Sequence, residues 1–231
     1  MYRNTQHWIQ TLESKGQLVR IREYVNPHLE IAEITDRISK QYGPALLFEN
    51  TGTEFPLLIN SMGTEQRMAW ALGKEKLDDV ALEMENLIRQ LTSPKENILD
   101  KLKLLPTLGS IAGWMPKTIS GRGDCQQVIM KDPDITKFPV LKCWPEDGGP
   151  FLTLPIIHTK DPNTGIRNVG LYRMQVFSPT LTAMHWHRHK VSARHFNEYK
   201  KLGIMMPVAV ALGGDPVYTY AATAPLPDNV D

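Results

Sequence analysis

Apolar residues recur at helical spacing in two stretches near the start of the chain, which predicts two helices. The first follows Asn4, a residue type that favours the N-terminal cap of a helix, and ends before Gly16. Its apolar face carries Trp8, Ile9 and Leu12. The second covers residues 28–42 and ends at Gly43. Its apolar face carries Ile31, Ile34 and Ile38.

A longer apolar stripe follows in residues 77–91 and ends before Pro94. Its members lie mostly three and four positions apart. They are Leu77, Val80, Ala81, Met84, Leu87, Ile88 and Leu91. This spacing predicts a third helix, and we expect its stripe to pack in a core rather than to contact a cofactor.

Short apolar runs between these helices predict three strands, at residues 18–21, 45–48 and 56–60. Residues 51–53 form a Thr-Gly-Thr turn between the second and third runs. Helices that alternate with short buried strands predict a small α/β layer structure.

The second half of the chain has a different pattern. Its strand-like runs cover residues 126–130, 151–158, 167–177, 181–187 and 206–212. The Asp-Pro-Asn-Thr-Gly sequence at residues 161–165 predicts a turn, and residues 191–202 predict a helix that ends at Gly203. Several strands with one helix predict an antiparallel barrel or sandwich.

Proline marks where one pattern changes to the other. Residues 1–105 hold 4 of the 17 prolines, and residues 106–231 hold the other 13. Because proline disfavours helix interiors, we expect a helix-rich first half and a second half rich in strands and turns. The sequence therefore predicts two domains, residues 1–105 and residues 106–231.

Composition narrows the class of protein. The 26 Lys and Arg residues nearly balance 25 Asp and Glu, and a net charge of +1 gives no reason to expect nucleic-acid binding. The two cysteines, Cys125 and Cys143, fit a reducing compartment. The N-terminus lacks the apolar core of a signal peptide, and no apolar run is long enough to span a bilayer. We therefore expect a cytoplasmic protein.

Histidines are concentrated at residues 185–195, which hold four of the seven. On a strand, His185, His187 and His189 would point to one face, where imidazoles can bind a metal or an anion. Arg188 and Lys190 favour a phosphate over a bare metal. The alternative is a polar strand face that contacts solvent.

Two further stretches mix polar residues with apolar ones. In residues 167–175, either an edge strand exposes its polar side chains, or Arg173 holds an anionic group while Gly170 lets a ligand approach the backbone. Residues 143–150 read as an ordinary loop, in which the adjacent acids Glu146 and Asp147 are expected to be solvated.

Five segments, taken together and in order, give the sequence a family resemblance. They are residues 27–31, 43–50, 143–147, 168–173 and 225–228. The sequence resembles the UbiD family of reversible decarboxylases, which use prenylated flavin mononucleotide (prenylated FMN). The Cys-Trp-Pro-Glu-Asp run at residues 143–147 is most similar to the polyprenyl-hydroxybenzoate decarboxylase branch.

The resemblance implies roles for individual residues. Asn168 and His189 match ligands of a Mn²⁺ ion that bridges the cofactor phosphate to the protein, and Arg173 matches the catalytic arginine that orients the substrate carboxylate. The positions that match the cofactor-binding stretches are Thr153, Leu171, Tyr172, Arg173, His185, Trp186, His187, Lys190, Val191, Thr223 and Pro225.

Four positions depart from the family pattern. The branch has Arg and Leu where this chain has His185 and His187. Its usual Arg-Gly is replaced by Lys190 and Val191, which keeps one charge but loses the bidentate guanidinium.

The resemblance also implies the fold and the extent of the protein. The second domain should be a split β-barrel of the flavin-reductase type, incomplete at its C-terminus. The family chain is about twice as long, its third metal ligand is a glutamate expected just after Asp231, and both glutamates of its proton-transfer network lie further on. We therefore expect the N-terminal half of a decarboxylase, inactive by itself.

The implied partners follow from the family reaction. The substrate is an aromatic carboxylic acid, such as a prenylated 4-hydroxybenzoate of quinone biosynthesis, and a flavin prenyltransferase supplies the cofactor. A lipophilic substrate implies peripheral contact with the inner face of the cell membrane, and the family forms homo-oligomers.

Two other functions fit the same residues. One is a non-catalytic flavin- or phosphate-binding protein, because the chain keeps much of the phosphate side of the site. The other is a metal-binding barrel with His185, His187 and His189 as ligands.

Overall fold

The computed structural model describes residues 2–93, 105–114 and 120–224. They belong to two compact units, one formed by Met1–Gly73 with Pro133–Asp231 and the other by Lys74–Asp132. The boundary expected between residues 105 and 106 falls inside the second unit, at the start of a helix. The division into domains 1–105 and 106–231 stays a prediction.

The first part of the larger unit is a three-stranded sheet with helices. Its elements are α1 (Thr5–Ser14), β1 (Leu18–Tyr24), α2 (Glu30–Lys40), β2 (Ala45–Asn50), β3 (Leu57–Ile59) and α3 (Glu65–Ala71). In the sheet, β2 lies between β1, to which it is parallel, and β3, to which it is antiparallel. The predicted helices and strands of this region are confirmed, whereas α3 has no counterpart in the sequence prediction.

The central strand β2 contributes to two apolar clusters. Ala45 packs in a cluster with Trp8, Leu12 and Ala71. Leu46 and Phe48 pack in a second cluster with Val25, Ile31 and Leu141. Because successive side chains of a strand point to opposite faces, this division places one cluster on each side of the sheet.

A short bridge joins this region to the segment that precedes the second group of strands. The N–H of Leu29 donates to the carbonyl oxygen of Lys142 at 2.9 Å. The N–H of Lys142 donates to the carbonyl oxygen of Pro27 at 3.3 Å. Leu141 is paired in turn with Phe151 in an isolated antiparallel bridge. The start of α2 is thus tied directly to the loop that follows Lys142.

The second group of strands forms two further sheets. Its elements are β4 (Phe151–Leu152), β5 (Ile156–Lys160), β6 (Arg167–Leu171), β7 (Met174–Ser178), β8 (Leu181–Met184), α6 (Val191–Leu202), β9 (Ala209–Ala211) and α7 (Pro216–Ala221). One sheet has the order β4-β7-β8 and the other β6-β5-β9, and all pairs are antiparallel. No closed barrel is found in the part of the chain that the structure describes. The split flavin-reductase barrel therefore stays a prediction.

Several predicted strands are shorter in the structure. Residues 151–158 are interrupted between β4 and β5, and residues 167–177 are interrupted at Tyr172 and Arg173. At each interruption the chain passes from one sheet to the other, which local alternation of side chains does not reveal. The strand expected over residues 181–187 ends at Met184.

The smaller unit contains the helices α4 (Leu77–Thr92) and α5 (Leu105–Trp114). α4 confirms the predicted helix, but none of its residues is buried among the described residues. Met84, Ile88 and Leu91 of its apolar stripe are at least 44% exposed, whereas Leu77, Val80 and Leu87 are half-buried. The described residues therefore do not enclose this stripe in a core. The strand expected over residues 126–130 is wrong, because a 3-10 turn at Asp124–Gln126 is followed by irregular chain.

Candidate functional site

Arg173 lies at the break between β6 and β7, where the chain leaves one sheet for the other. Its side chain is half exposed, and its guanidinium carbon lies 4.4 Å from the centre of the Phe151 ring. The Nη1 atom of Arg173 is 3.6 Å from Oδ1 of Asp147. A cation above an aromatic face and beside a carboxylate is electrostatically favourable, so Arg173 is held on two sides while part of it contacts solvent.

His185 completes this arrangement. Its ring meets the Phe151 ring edge-on, with centroids 4.9 Å apart, and its backbone N–H donates to the carbonyl oxygen of Arg173 at 3.0 Å. We call Asp147, Phe151, Arg173 and His185 the Arg173 cluster. The structure thus brings together two residues that the resemblance assigns to the site, Arg173 and His185.

Asp147 differs from its predicted environment. Its side chain is 13% exposed, although the sequence suggests a solvated acid, while the adjacent Glu146 is exposed as expected. Oδ2 of Asp147 accepts a hydrogen bond from the N–H of Trp144 at 3.2 Å. No local feature of the sequence marks this contact, because the partner Arg173 lies 26 positions further along the chain.

Cys143 is half buried close to the same charges. Burial raises the pKa of its thiol, the negative charge of Asp147 raises it further, and the positive charge of Arg173 lowers it. Its thiol therefore responds to both charges of the ion pair.

The other predicted histidines lie beyond the strand. Because β8 ends at Met184, the alternation argument does not place His185, His187 and His189 on one strand face. His187 and His189 are exposed. Within the described residues, no group of three or more His, Cys, Asp or Glu side chains is arranged to hold a metal ion. The all-histidine metal site is not supported.

Tyr172 and Trp186, the chain neighbours of Arg173 and His185, form an aromatic contact. Their rings are perpendicular with centroids 6.3 Å apart, and Tyr172 is 8% exposed in an apolar cluster with Ile157 and Met174. A Cβ atom on Gly170 would lie 2.6 Å from the hydroxyl oxygen of Tyr172. The space above Gly170 is therefore filled by Tyr172, which corrects the expectation that a ligand approaches there.

Asn168 belongs to a buried polar cluster. Its Nδ2 donates to Oγ of Ser192 at 3.4 Å, and Thr159 Oγ1 lies 3.3 Å from the same oxygen and 3.0 Å from Nδ1 of His195. His195 is 1% exposed. The sequence pattern does not mark Thr159, Ser192 and His195 as site candidates. Ser192 and His195 nevertheless lie three positions apart on the predicted helix 191–202 and so share one face.

Ser192 places Asn168 beside the first turn of α6. Lys190, the N-terminal cap of this helix, makes no capping hydrogen bond with its side chain and is exposed, as is His189. The first backbone N–H groups of a helix lack partners within the helix and carry partial positive charge. Asn168, His189, Lys190 and Val191 are thus assembled at one helix N-terminus, which suits an anionic group.

The remaining predicted positions lie elsewhere. Leu171 is half buried at the end of β6. Thr153 lines a cavity of about 890 Å³ whose wall includes Phe151, Leu57 and Ile59. Thr223 follows α7, and its hydroxyl donates to the carbonyl oxygen of Tyr220 at 2.6 Å. Pro225 lies outside the described residues.

No described helix is both long and apolar enough to cross a membrane.

Two family models match the chain. The model of the N-terminal domain of 3-octaprenyl-4-hydroxybenzoate carboxy-lyase matches residues 9–87, and the model of the Rift-related domain of that enzyme matches residues 117–231.

Curated relatives match over the whole chain. An uncharacterized protein of Aquifex aeolicus is 45% identical over 234 residues, which cover 100% of this chain and 48% of that protein. One of Archaeoglobus fulgidus is 43% identical over 231 residues, which cover 99% of this chain and 47% of that protein. The chain spans about half the length of these relatives.

Solved structures share the fold. The UbiD-class enzyme HmfF from Pelotomaculum thermopropionicum in complex with FMN has a TM-score of 0.76 and 24% identity, over 99% of this chain and 46% of that one. Vanillic acid decarboxylase of Sedimentibacter hydroxybenzoicus in closed form has a TM-score of 0.79 and 23% identity, over 99% of this chain and 46% of that one. An evolved dimeric form of HmfF from the same organism, Pelotomaculum thermopropionicum, in complex with prenylated FMN has a TM-score of 0.72 and 22% identity, over 97% of this chain and 51% of that one.

Proposed function

The chain belongs to the UbiD family, and on that premise we propose that it is the N-terminal part of a decarboxylase that uses prenylated FMN and acts on an aromatic acid. The observation that carries the proposal is the half-exposed Arg173 guanidinium, held over Phe151 and beside Asp147. A cation fixed in this way can pair with a substrate carboxylate and keep it in one orientation.

The described residues fit the phosphate end of a flavin nucleotide. The N-terminus of α6, with the exposed side chains of Arg188 and Lys190 beside it, offers backbone N–H donors and positive charge for a phosphate. Structures of similar fold hold FMN and prenylated FMN, which supports the same cofactor class here. Lys190 in place of arginine would contact the phosphate as a point charge rather than through a bidentate fork.

The proposed Mn²⁺ ion would be held by Asn168 and His189, whose oxygen and imidazole donors suit this metal. Two ligands do not make a complete site, and no group of three candidate ligands occurs in the described ranges. The metal part of the proposal therefore requires a further ligand, such as the glutamate expected after Asp231, and we route no catalytic step through the ion.

In the proposed reaction the chain provides binding and orientation. Arg173 would bind the substrate carboxylate through N–H groups that do not face Asp147, and the buried Phe151 ring below it would keep water from that side. Prenylated FMN, when bound, supplies the sink for the electron pair released as CO₂ leaves. Tyr172 and Trp186 would form the apolar wall beside the flavin.

For the substrate we propose a 4-hydroxybenzoate that bears a prenyl chain, or a related aromatic acid of a quinone pathway. The description of both matching family models supports this choice. A flavin prenyltransferase would supply the cofactor. We also propose a homo-oligomer that contacts the inner face of the cell membrane to collect this lipophilic substrate.

The test uses the full-length protein co-expressed with a flavin prenyltransferase. Purified protein should show flavin absorbance and should release CO₂ from at least one member of a panel of prenylated and unprenylated aromatic acids. Cofactor retention without CO₂ release from any acid would instead favour the non-catalytic flavin-binding function.

Replacement of Arg173 tests its assigned role. Arg173→Ala should lower kcat/KM by about 100-fold to 1,000-fold, because one preorganised partner of the reacting carboxylate is lost. Arg167→Ala, at an exposed arginine of β6, is the control and should keep wild-type activity. Equal activity of both variants, at equal flavin content, would refute the role of Arg173.

A further inference from the structure

The family resemblance assigns roles to Arg173 and His185 of the Arg173 cluster, but none to Phe151 or Asp147. The carboxylate of Asp147 is 13% exposed and lies 3.6 Å from the guanidinium of Arg173. A carboxylate with so little contact with water is costly unless it is paired and hydrogen-bonded. The pair with Arg173 and the hydrogen bond from Trp144 meet this requirement.

The loop that carries Asp147 is fixed to the strand that follows Arg173. Nε2 of Gln175, a buried residue of β7, donates to the carbonyl oxygen of Gly148 at 2.9 Å. The N–H of Trp144 fixes Oδ2 of Asp147, which leaves Oδ1 directed at Arg173. Both partners of the ion pair are therefore anchored within a few residues of the same strand.

Arg173 needs contacts that hold it in one direction, because an arginine side chain has several rotatable bonds and loses rotamer entropy when it is fixed. Phe151 provides a surface below the guanidinium but does not choose a direction within that plane. A carboxylate at one side does choose a direction, because it pairs with only one edge of the planar guanidinium.

We propose that Asp147 is a positioning residue, which turns the guanidinium of Arg173 over Phe151 so that its remaining N–H groups face the substrate carboxylate. This inference rests on the proposed function of Arg173.

The test compares three variants of the full-length protein with bound cofactor. Asp147→Asn removes the charge but keeps the shape and an acceptor for Trp144. Asp147→Glu keeps the charge on a longer side chain. Glu146→Gln is the matched control, because it removes the adjacent exposed negative charge of the same loop.

We expect Asp147→Asn to lower kcat, measured per bound flavin, by about 10-fold to 100-fold, as misplacement of a catalytic group does. KM should stay unchanged or fall, because an arginine without its own carboxylate pairs more readily with that of the substrate. Asp147→Glu should recover part of kcat, and Glu146→Gln should stay within about 2-fold of wild type, as expected for a surface charge.

A binding measurement makes the inference independent of turnover. Calorimetry should show that Asp147→Asn changes the preference of the protein for benzoate over benzamide, whereas Glu146→Gln does not. If the wild-type protein releases no CO₂ but this preference changes, the proposed function fails and the positioning role stands.

Two results would overturn the positioning role. One is a kcat of Asp147→Asn like that of wild type in a protein that Arg173→Ala inactivates. The other is an unchanged preference for benzoate over benzamide. If Asp147→Asn does not fold, a kcat of Asp147→Glu below that of Arg173→Ala would also contradict it, since a retained charge should position Arg173 at least in part.

Discussion

Segments that are far apart along the chain determine the surroundings of Arg173. Phe151 lies beneath its guanidinium, Asp147 lies beside it, and His185 binds its carbonyl group. The preceding residue in the chain, Tyr172, is buried in an apolar cluster. A residue at this break can thus be anchored through its neighbour and still present its side chain to a ligand.

The thiol of Cys143 offers a direct measure of the Asp147 charge. Asp147→Asn should lower the pKa of Cys143, because the carboxylate that disfavours the thiolate is removed while Arg173 remains. The rate of thiol alkylation against pH, measured in a Cys125→Ser background of this chain, gives that pKa.

Glu146→Gln again provides the comparison, because its side chain is exposed. A fall in the pKa of Cys143 that is equally large in both variants would show a general charge effect of the loop. It would contradict a specific contact with Asp147.

The ring of Tyr172 leaves no room for a side chain at Gly170. Gly170→Ala should lower the free energy of unfolding by about 1–3 kcal/mol, as overpacking of a core does, because its Cβ would lie 2.6 Å from the Tyr172 hydroxyl oxygen. Urea denaturation measures this change. Gly109→Ala, whose Cβ would meet nothing within 4 Å, should not destabilise the protein. Equal stability of wild type and Gly170→Ala would mean that Tyr172 moves aside freely.

At the scale of helices and strands, periodicity predicts α1, α2, α4 and α6 well, because each helix has ten or more residues and is long enough for apolar positions to recur at helical spacing. The seven-residue α3 is too short for such a pattern. Strands are predicted too long where the chain bends between sheets, since alternation continues through the bend. The strand expected at residues 126–130 fails because an apolar run does not by itself supply a pairing partner.

The cap of α1 is a local feature with a measurable contribution. Oδ1 of Asn4 accepts a hydrogen bond from the N–H of His7 at 2.9 Å. Asn4→Ala should lower the free energy of unfolding by about 1 kcal/mol, and Asn4→Ser should keep most of it, because serine also caps helices. Chemical denaturation of both variants checks the difference, and two equally stable variants would argue against a role for the cap.

The sequence predicts which residues belong to the candidate site better than it predicts how those residues are arranged. Motif order singles out Asn168, Arg173 and His185, but their burial and partners depend on tertiary contacts. The pairing of Asp147 with Arg173 and the buried contacts of His195 have no local signal, because their partners come from other elements.

At the scale of the whole molecule, compact units and family models divide the chain differently. The matched regions are residues 9–87 and 117–231, whereas the larger compact unit combines Met1–Gly73 with Pro133–Asp231. Residues from both models therefore share one unit. The proline boundary between residues 105 and 106 reflects a change in local structure, which need not coincide with a change in packing.

The bridge between residues 27–29 and Lys142 limits how this protein can be recombined with its relatives. Leu29 adopts a positive φ of 73°, which is unfavourable for leucine, while its N–H binds the carbonyl group of Lys142. A chimera that exchanges residues 1–73 alone would replace one side of this bridge and keep the other. We expect such an exchange to disturb the loop that carries Asp147, so a functional chimera should inherit both sides of the bridge from one parent.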